Sequence, residues 1–127
     1  MTTDLELRRV QAELLLDLQR IRHLAEQRIA DRLTEEGLDV TPSQANVLMA
    51  LVNHRAPMTA RQLAKSLEVS EVTVGRFVRK LEENGWIERN RDPDDSRAIL
   101  ITPTRRAREA LPQFIRVSNA IADEMLA

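Results

Sequence analysis

The stretch from Thr59 to Gly85, TARQLAKSLEVSEVTVGRFVRKLEENG, predicts two helices joined by a very tight turn. It begins with the pattern Thr-x-x-Gln, in which the threonine hydroxyl caps a free backbone N–H and the glutamine reaches back to the cap. Only Glu68 and Val69 separate the end of this short helix from Ser70, which is the next N-cap. Two helices joined this closely must turn sharply, and we therefore expect a helix-turn-helix.

The second of these helices has one apolar face and one face that is unusual for a solvated surface. The apolar side chains at helical spacing are Val74, Phe77, Val78 and Leu81. The opposite face carries Val72, Gly75, Arg76 and Arg79. A mid-helix glycine costs about 1 kcal/mol relative to alanine. It makes sense if the helix enters a DNA major groove, where a small residue permits close approach and a valine methyl can touch a thymine methyl. For either arginine alone, an ordinary surface position is the alternative.

After Gly85 the hydrophobic pattern changes from helical to alternating, which predicts strands over 86–89 and 98–101 joined by the turn DPDDS. A hairpin directly after a helix-turn-helix is a wing. We expect Arg97 to enter the minor groove while one of the neighbouring carboxylates, Asp94 or Asp95, orients its guanidinium in a bidentate pair. Arg89 and Arg91, on the leading strand, are candidate phosphate contacts. The alternative is a solvated surface salt bridge, which contributes little.

Both ends of the chain predict long helices. From residue 5 to 36 apolar side chains recur at helical spacing, and Gly37 then supplies a stop. A second Thr-x-x-Gln pattern at Thr41 opens the next helix. The last helix spans 103–127, with Pro112 expected to kink it. Because a helix of about eight turns needs something to bury its apolar stripe, we expect a partner subunit.

Composition excludes several classes of function. The 127 residues include no cysteine, so disulfides and thiolate metal sites are excluded. His23 and His54 fall on different helices, and the chain has neither a glycine-rich phosphate loop nor a nucleophile elbow. We therefore expect no metal, no cofactor and no enzyme activity. The charged N-terminus and the lack of a long apolar run predict a cytoplasmic protein without a membrane contact. The net charge is −1, but basic side chains outnumber acidic ones between Arg55 and Arg108.

The stretches described above, together with the hairpin sequence RNRDPDDSRA, resemble the MarR family of bacterial regulators. The resemblance covers nearly the whole chain. It implies a homodimer held by the first and last helices, which binds a pseudo-palindromic operator with one recognition helix per half-site. For many members it implies a repressor released by a small aromatic ligand bound near the junction of the dimerising and DNA-binding parts. It also implies a further helix beyond Ala127, so we expect the dimerising half to lack its final helix.

We therefore predict one domain over 1–127, mainly α with a small β-hairpin. Its winged helix-turn-helix spans 41–102, and its dimerisation helices span 5–36 and 103–127. The predicted function is sequence-specific binding of double-stranded DNA by a ligand-responsive repressor. The alternative is a winged-helix protein-interaction module that does not bind specific DNA. Carried over from the family, Ser70, Glu71, Thr73, Gly75 and Arg76 face the major groove, and Asp95 with Arg97 forms the wing tip. The full set of expected DNA contacts is Thr59, Ser70, Glu71, Val72, Thr73, Gly75, Arg76, Arg79, Arg89, Asp95 and Arg97.

Overall fold

The computed structural model describes residues 3–126, so the predicted range 103–127 ends on a residue, Ala127, that lies outside the described part. The chain is mainly helical with one antiparallel hairpin, as predicted. Its elements are α1 (Asp4–Glu35), α2 (Pro42–His54), α3 (Ala60–Leu67), α4 (Glu71–Glu83), β1 (Ile87–Arg91), β2 (Ile99–Pro103), α5 (Arg105–Glu109) and α6 (Leu111–Leu126).

The helices begin where short polar patterns cap them. The predicted caps at Thr41 and Thr59 are confirmed, because each threonine oxygen accepts the N–H of the glutamine three residues later at 3.2 Å. Each glutamine side chain in turn accepts the backbone N–H of its threonine. A third capping box, formed by Thr3 and Glu6, begins α1. These bonds satisfy donors that the first helical turn leaves free, so each start is fixed locally.

Left-handed backbone conformations end the helices. Gly37 and Gly85 have φ values of 74° and 77°, a region that favours glycine, and they stop α1 and α4 as predicted. Arg55 and Glu68 adopt φ values of 64° and 56° at the ends of α2 and α3. The turn between α3 and α4 therefore contains one strained non-glycine residue, which lets the chain reverse within the three residues that separate the helices.

The hairpin lies one to two residues later at its ends than the alternating pattern predicts. Strands β1 and β2 pair antiparallel, with Arg89 opposite Ile101. Ile101 also exchanges backbone hydrogen bonds of 3.1 and 2.7 Å with Met58, which forms an isolated antiparallel β-bridge beside the hairpin. This bridge, which the sequence pattern did not predict, ties the loop before α3 to the wing.

The last helical region is broken rather than kinked, which corrects the expectation for Pro112. Helix α5 ends at Glu109, and α6 begins at Leu111 with Pro112 as its second residue. At that position the missing N–H loses no helical bond, so proline stabilises a new start instead of bending a continuous helix. Thr104 caps α5 by accepting the Ala107 N–H.

The core lies where α2, α3, α4 and the hairpin meet α5, α6 and the C-terminal end of α1. Its largest fully buried side chains are Trp86, Leu33, Leu48, Leu51, Leu63, Leu81, Ile87, Ile101, Val47 and Val74. Phe77, predicted as core, is only half-buried and packs at the edge. In contrast, α1 buries only Leu33, and its apolar side chains from Leu5 to Leu24 are 50 to 71% exposed. Within residues 3–126 no helix is both long and apolar enough to cross a bilayer.

Candidate nucleic-acid interface

The start of α4 is fixed by two hydroxyl groups. Ser70 Oγ accepts the backbone N–H of Thr73 at 3.1 Å and lies 2.9 Å from Thr73 Oγ1. The N-cap predicted at Ser70 is therefore confirmed. Glu71 follows on the exposed side of the first turn, where its charge complements the positive end of the helix dipole. This turn presents one end of α4 as a rigid polar surface.

The two faces of α4 separate as the sequence pattern predicts. Val74 and Leu81 are fully buried. On the other face Val72 is 68% exposed, and Gly75, Arg76 and Arg79 are exposed beside it. A methyl group built on Gly75 would meet nothing within 4 Å. The chain's own packing does not require a glycine there.

Thr59, the remaining helical residue of the predicted set, begins α3. Its hydroxyl is committed to the cap of α3, and the residue is half-buried. Helix α3 packs against α4, as the tight turn requires. The structure thus places Thr59 in the helix-turn-helix, with the hydroxyl oriented by the cap.

Arg89 has a partner that the sequence analysis did not foresee. Its guanidinium donates two hydrogen bonds to Glu82, with Nε at 3.0 Å and Nη2 at 2.9 Å from the two carboxylate oxygens. This pair joins β1 to α4. The hydrogen bonds lower the pKa of the Glu82 carboxyl and raise the pKa of Arg89. The expected phosphate contact is therefore an arginine whose charge is already paired.

The predicted bidentate pair at the wing tip is wrong. The Asp95 carboxylate accepts the backbone N–H of Arg97 at 3.0 Å, and among residues 3–126 no carboxylate forms an ion pair with the Arg97 guanidinium. An aspartate reaches the N–H two residues ahead with less loss of side-chain freedom than a long guanidinium would suffer. Asp95 therefore shapes the turn, and the exposed Arg97 side chain projects from it without an acidic partner.

The wing is braced by further turn contacts. Asp92 Oδ1 accepts the Asp94 N–H at 2.9 Å, and Arg91 Nη1 donates to the Ser96 carbonyl at 3.2 Å. Strand β1 packs against α4, so the base of the wing is fixed to the helix-turn-helix. Helix α4 and the wing thus form one unit. Its exposed cationic side chains include Arg76 and Arg79 on α4 and Arg97 on the wing.

The two histidines lie apart from this unit and from each other. His23 lies on the exposed part of α1, and His54 Nδ1 hydrogen-bonds the Ala56 carbonyl at the end of α2. Across residues 3–126 no group of three metal-ligating side chains comes together.

A cavity of about 190 Å³ opens where α1, α2 and α6 meet. Its walls are mostly apolar, with one amide and one hydroxyl among them. The lining residues are Ile29, Leu33, Ala45, Asn46, Met49, Phe114, Val117, Ser118 and Ile121. The cavity lies between the terminal helices and the helix-turn-helix.

Sequence reasoning missed a group of side chains at the exit from α4. Trp86, 2% exposed, donates its indole N–H to Asp39 Oδ1 at 3.1 Å, and the Arg106 guanidinium lies 3.9 Å above its ring. Arg106 also donates to Asp39 and to the Asn84 carbonyl. The only sequence signal was a single tryptophan directly after the helix-ending Gly85.

Comparison with known proteins finds a family model and several relatives that this chain resembles. The family model of the MarR family matches residues 40–99, which span α2 to the start of β2. The chain is 33% identical over 93 residues to the multiple antibiotic resistance protein MarR of Escherichia coli, covering 71% of this chain and 63% of that protein. It is 34% identical over 85 residues to the HTH-type transcriptional regulator YwoH of Bacillus subtilis, covering 67% and 61%. The chain spans between about two fifths and just under two thirds of the length of the curated relatives that it matches.

Solved structures share the fold over most of the chain. Reduced AbfR bound to DNA superposes with a TM-score of 0.83 at 24% identity, covering 93% of this chain and 83% of that one. A probable transcriptional regulator from Pseudomonas aeruginosa superposes with a TM-score of 0.69 at 27% identity, covering 84% and 80%. The predicted winged helix-turn-helix fold with terminal helices is confirmed. The protein from Pseudomonas aeruginosa and YwoH are both named as transcriptional regulators, and neither name indicates an enzyme.

Proposed function

We propose that the chain is a MarR-family transcription regulator that binds a pseudo-palindromic operator as a homodimer. The observation that carries the proposal is the outer face of α4. There Val72 and Arg76 are exposed, and within residues 3–126 no other part of the structure comes within 4 Å of a methyl group built on Gly75. A flat face with a methyl group and a long cation suits the major groove, where thymine methyls and guanine acceptors lie.

The contacts divide by role. Arg76 and Val72 lie at the base-reading end of α4, with Ser70, Glu71, Thr73 and Gly75 around them. Arg79, and Thr59 at the start of α3, lie near the sugar-phosphate backbone, which fixes the register of the protein on the duplex. At the wing, Arg97 enters the minor groove, whose negative potential attracts an unpaired guanidinium. Asp95 holds the wing turn, and Arg89 braces the wing against α4.

Dimerisation follows from the exposed stripe on α1. Leu7, Val10, Leu14, Leu18 and Ile21 fall on one side of the helix at spacings of three and four, and each is at least half exposed. A continuous apolar stripe of this length favours burial against another subunit. We assign the interface to residues 5–36 and 103–127, and the DNA-binding part to residues 41–102.

We propose that a small ligand bound in the cavity between α1, α2 and α6 releases the protein from DNA. At about 190 Å³ it suits a single aromatic ring, since an apolar cavity of about 150 Å³ holds benzene. Asn46 and Ser118 offer the polar contacts that would orient such a ring. Because the lining joins terminal helices to α2, a ligand there favours one relative orientation of the two parts. On this ground we propose that the protein is a ligand-responsive repressor.

The test is a binding titration against DNA fragments selected from a random pool by the purified protein. Wild-type protein should bind a selected duplex far more tightly than a scrambled one. Arg76→Ala should reduce that discrimination by about 1–3 kcal/mol, because a bidentate base contact is lost. The same change at Arg105, which pairs with Glu109 on α5, is the control. Equal affinity of wild type for selected and scrambled DNA would refute sequence-specific binding.

Ligand response and repression need their own measurements. Addition of a one-ring aromatic acid such as benzoate should displace the wild-type protein from the selected duplex, and Ser118→Leu, which fills the cavity, should abolish the displacement. In a reporter strain, expression should fall when the protein is supplied together with its selected site near the promoter. A rise in expression would show an activator instead.

A further inference from the structure

The exit of α4 is held by the helix that follows the wing. Three consecutive backbone carbonyls, those of Asn84, Gly85 and Trp86, accept hydrogen bonds from α5 and its cap. Arg106 donates to the Asn84 carbonyl. The Thr104 hydroxyl donates to the Gly85 carbonyl at 2.7 Å, and the Thr104 N–H donates to the Trp86 carbonyl at 3.0 Å. The chain direction after α4 is therefore fixed at three successive residues.

Asp39, in the connection between α1 and α2, completes this arrangement. Its Oδ1 accepts both the Trp86 indole N–H and an Arg106 N–H, each at 3.1 Å. The guanidinium of Arg106 stacks on the indole with its carbon 3.9 Å from the ring centroid, a cation–π geometry. We call Asp39, Trp86, Thr104 and Arg106 the exit cluster.

The exit cluster lies between the two parts of the molecule. Helix α4 packs mainly against α2, α3 and β1. Asp39 lies four residues after the end of α1, and Phe114 of α6 packs edge-on against Trp86, with ring centroids 6.0 Å apart. The Arg106 side chain therefore links the exit of α4 to the connection between α1 and α2, because it reaches Asp39, Asn84 and Trp86.

A small rotation at the exit cluster is amplified at the other end of α4. Ser70 lies fourteen residues before Asn84, which at 1.5 Å per residue is about 20 Å along the helix. A rotation of roughly 5° about the exit would move the base-reading end by about 1.7 Å. In a symmetric dimer the two ends would move by about 3.5 Å relative to each other, the rise of about one base pair.

We propose that Arg106 is a positioning residue that fixes the angle of α4 through the exit cluster, and thereby the half-site spacing that the dimer accepts. The proposal rests on the function proposed above, since it requires two recognition helices on one duplex. Arg106 touches no DNA in this scheme. It sets the distance between the two α4 helices of the dimer and leaves their base contacts unchanged.

The experiment uses the full chain and a set of duplexes. The selected operator is compared with versions whose centre is shortened or lengthened by one or two base pairs. Wild type should lose about tenfold in affinity for each one-base-pair change. Arg106→Ala should bind the three closest spacings within about threefold of one another, because the angle is no longer fixed. Arg106→Lys keeps the charge but lacks the planar fork that reaches two acceptors, so its profile should lie between the two.

Arg105→Ala is the matched control, since it removes the same charge from the neighbouring residue of α5, whose partner is Glu109. It should keep the wild-type spacing profile. Arg106→Ala with a lowered free energy of unfolding but an unchanged profile would overturn the proposal, because the residue would then be structural only. A flattened profile in Arg105→Ala would overturn it equally. If wild type itself shows no preference for the selected operator, the proposed function fails and this inference with it.

Discussion

Two arginines of the candidate interface, Arg79 and Arg89, differ in whether a carboxylate pairs with their charge. Arg79 on α4 is exposed and forms no ion pair among residues 3–126. Arg89 on β1 is bound at both ends of its guanidinium fork by Glu82. A paired arginine brings no net charge to a phosphate. The residue type alone therefore does not tell which of the two arginines neutralises a DNA phosphate.

The salt dependence of DNA binding should separate these arginines. Each phosphate contact contributes about 0.9 to the slope of log K against log salt concentration. Arg79→Ala should lower the slope by about that amount, whereas Arg89→Ala should leave it nearly unchanged, because the charge lost is one that Glu82 already balances. Fluorescence anisotropy over a salt series measures both slopes. A reduction in Arg89→Ala as large as that in Arg79→Ala would show that Arg89 leaves Glu82 to contact a phosphate.

Gly75 should respond to alanine in opposite ways in two assays. Alanine fits without contact within 4 Å, and it should raise the free energy of unfolding by about 1 kcal/mol through its helix propensity. The same methyl group should weaken operator binding, because it occupies the space for close groove approach. Urea unfolding and a binding titration measure the two effects. Gly37→Ala, at φ 74°, should instead destabilise the fold. Unchanged operator affinity in Gly75→Ala would place Gly75 away from the groove.

At the scale of elements, what the sequence predicted well was local. Helix starts at Thr41, Thr59 and Ser70 follow from bonds that span three residues, and the ends at Gly37 and Gly85 follow from one backbone angle. Such features depend on neighbours in the chain and can be derived from it.

The features that the sequence did not predict join distant residues or depend on competition between partners. Asp39 and Arg106 are 67 residues apart, and no pattern pairs a loop carboxylate with that arginine. The ion pair predicted at the wing tip was wrong for the opposite reason, because Asp95 accepts a hydrogen bond from a nearer donor, the backbone N–H of Arg97. Of the candidate interface, the exposed face of α4 was predictable from helical periodicity. The commitment of Arg89 to Glu82 was not, because it depends on how β1 packs on α4.

The junction of α1 with α6 makes a prediction about acid stability. Arg116 donates three hydrogen bonds of 3.1 to 3.3 Å to the Glu36 carboxylate, and these lower the pKa of that carboxyl below its ordinary value. A carboxyl with a lowered pKa stabilises the fold at pH values above its unfolded pKa. That contribution is lost as the pH falls through the folded value.

Glu36→Gln should therefore lose less stability than wild type when the pH is lowered from about 6 to about 3. Urea unfolding at the two pH values measures the difference. Asp31→Asn, which also removes one carboxylate from the α1 region but one that forms no ion pair within residues 3–126, should behave like wild type. Identical acid sensitivity of wild type and Glu36→Gln would show that the ion pair is absent in solution.

For the whole molecule, the exposed stripe on α1 predicts the state of assembly. Leu14, 58% exposed, lies in the middle of the stripe, and a charge there would have to be buried in a dimer at high cost. Leu14→Glu should shift the protein towards monomer in analytical ultracentrifugation and weaken binding to a two-half-site duplex. Gln19→Glu, which adds the same charge on the far side of the helix, should remain dimeric. Dimers that persist in Leu14→Glu would place the interface elsewhere.

Because the first half of α1 is exposed, we expect the lifetime of the protein to depend on its own concentration. A helix without packing is only marginally stable in water. With burial supplied by a second copy, its order follows mass action, and dilution of the protein unwinds this half while the wing-bearing half stays folded. An unwound terminal segment is accessible to proteases. Scarce molecules are therefore expected to be degraded faster than abundant ones, which sharpens the boundary between an occupied and an empty operator.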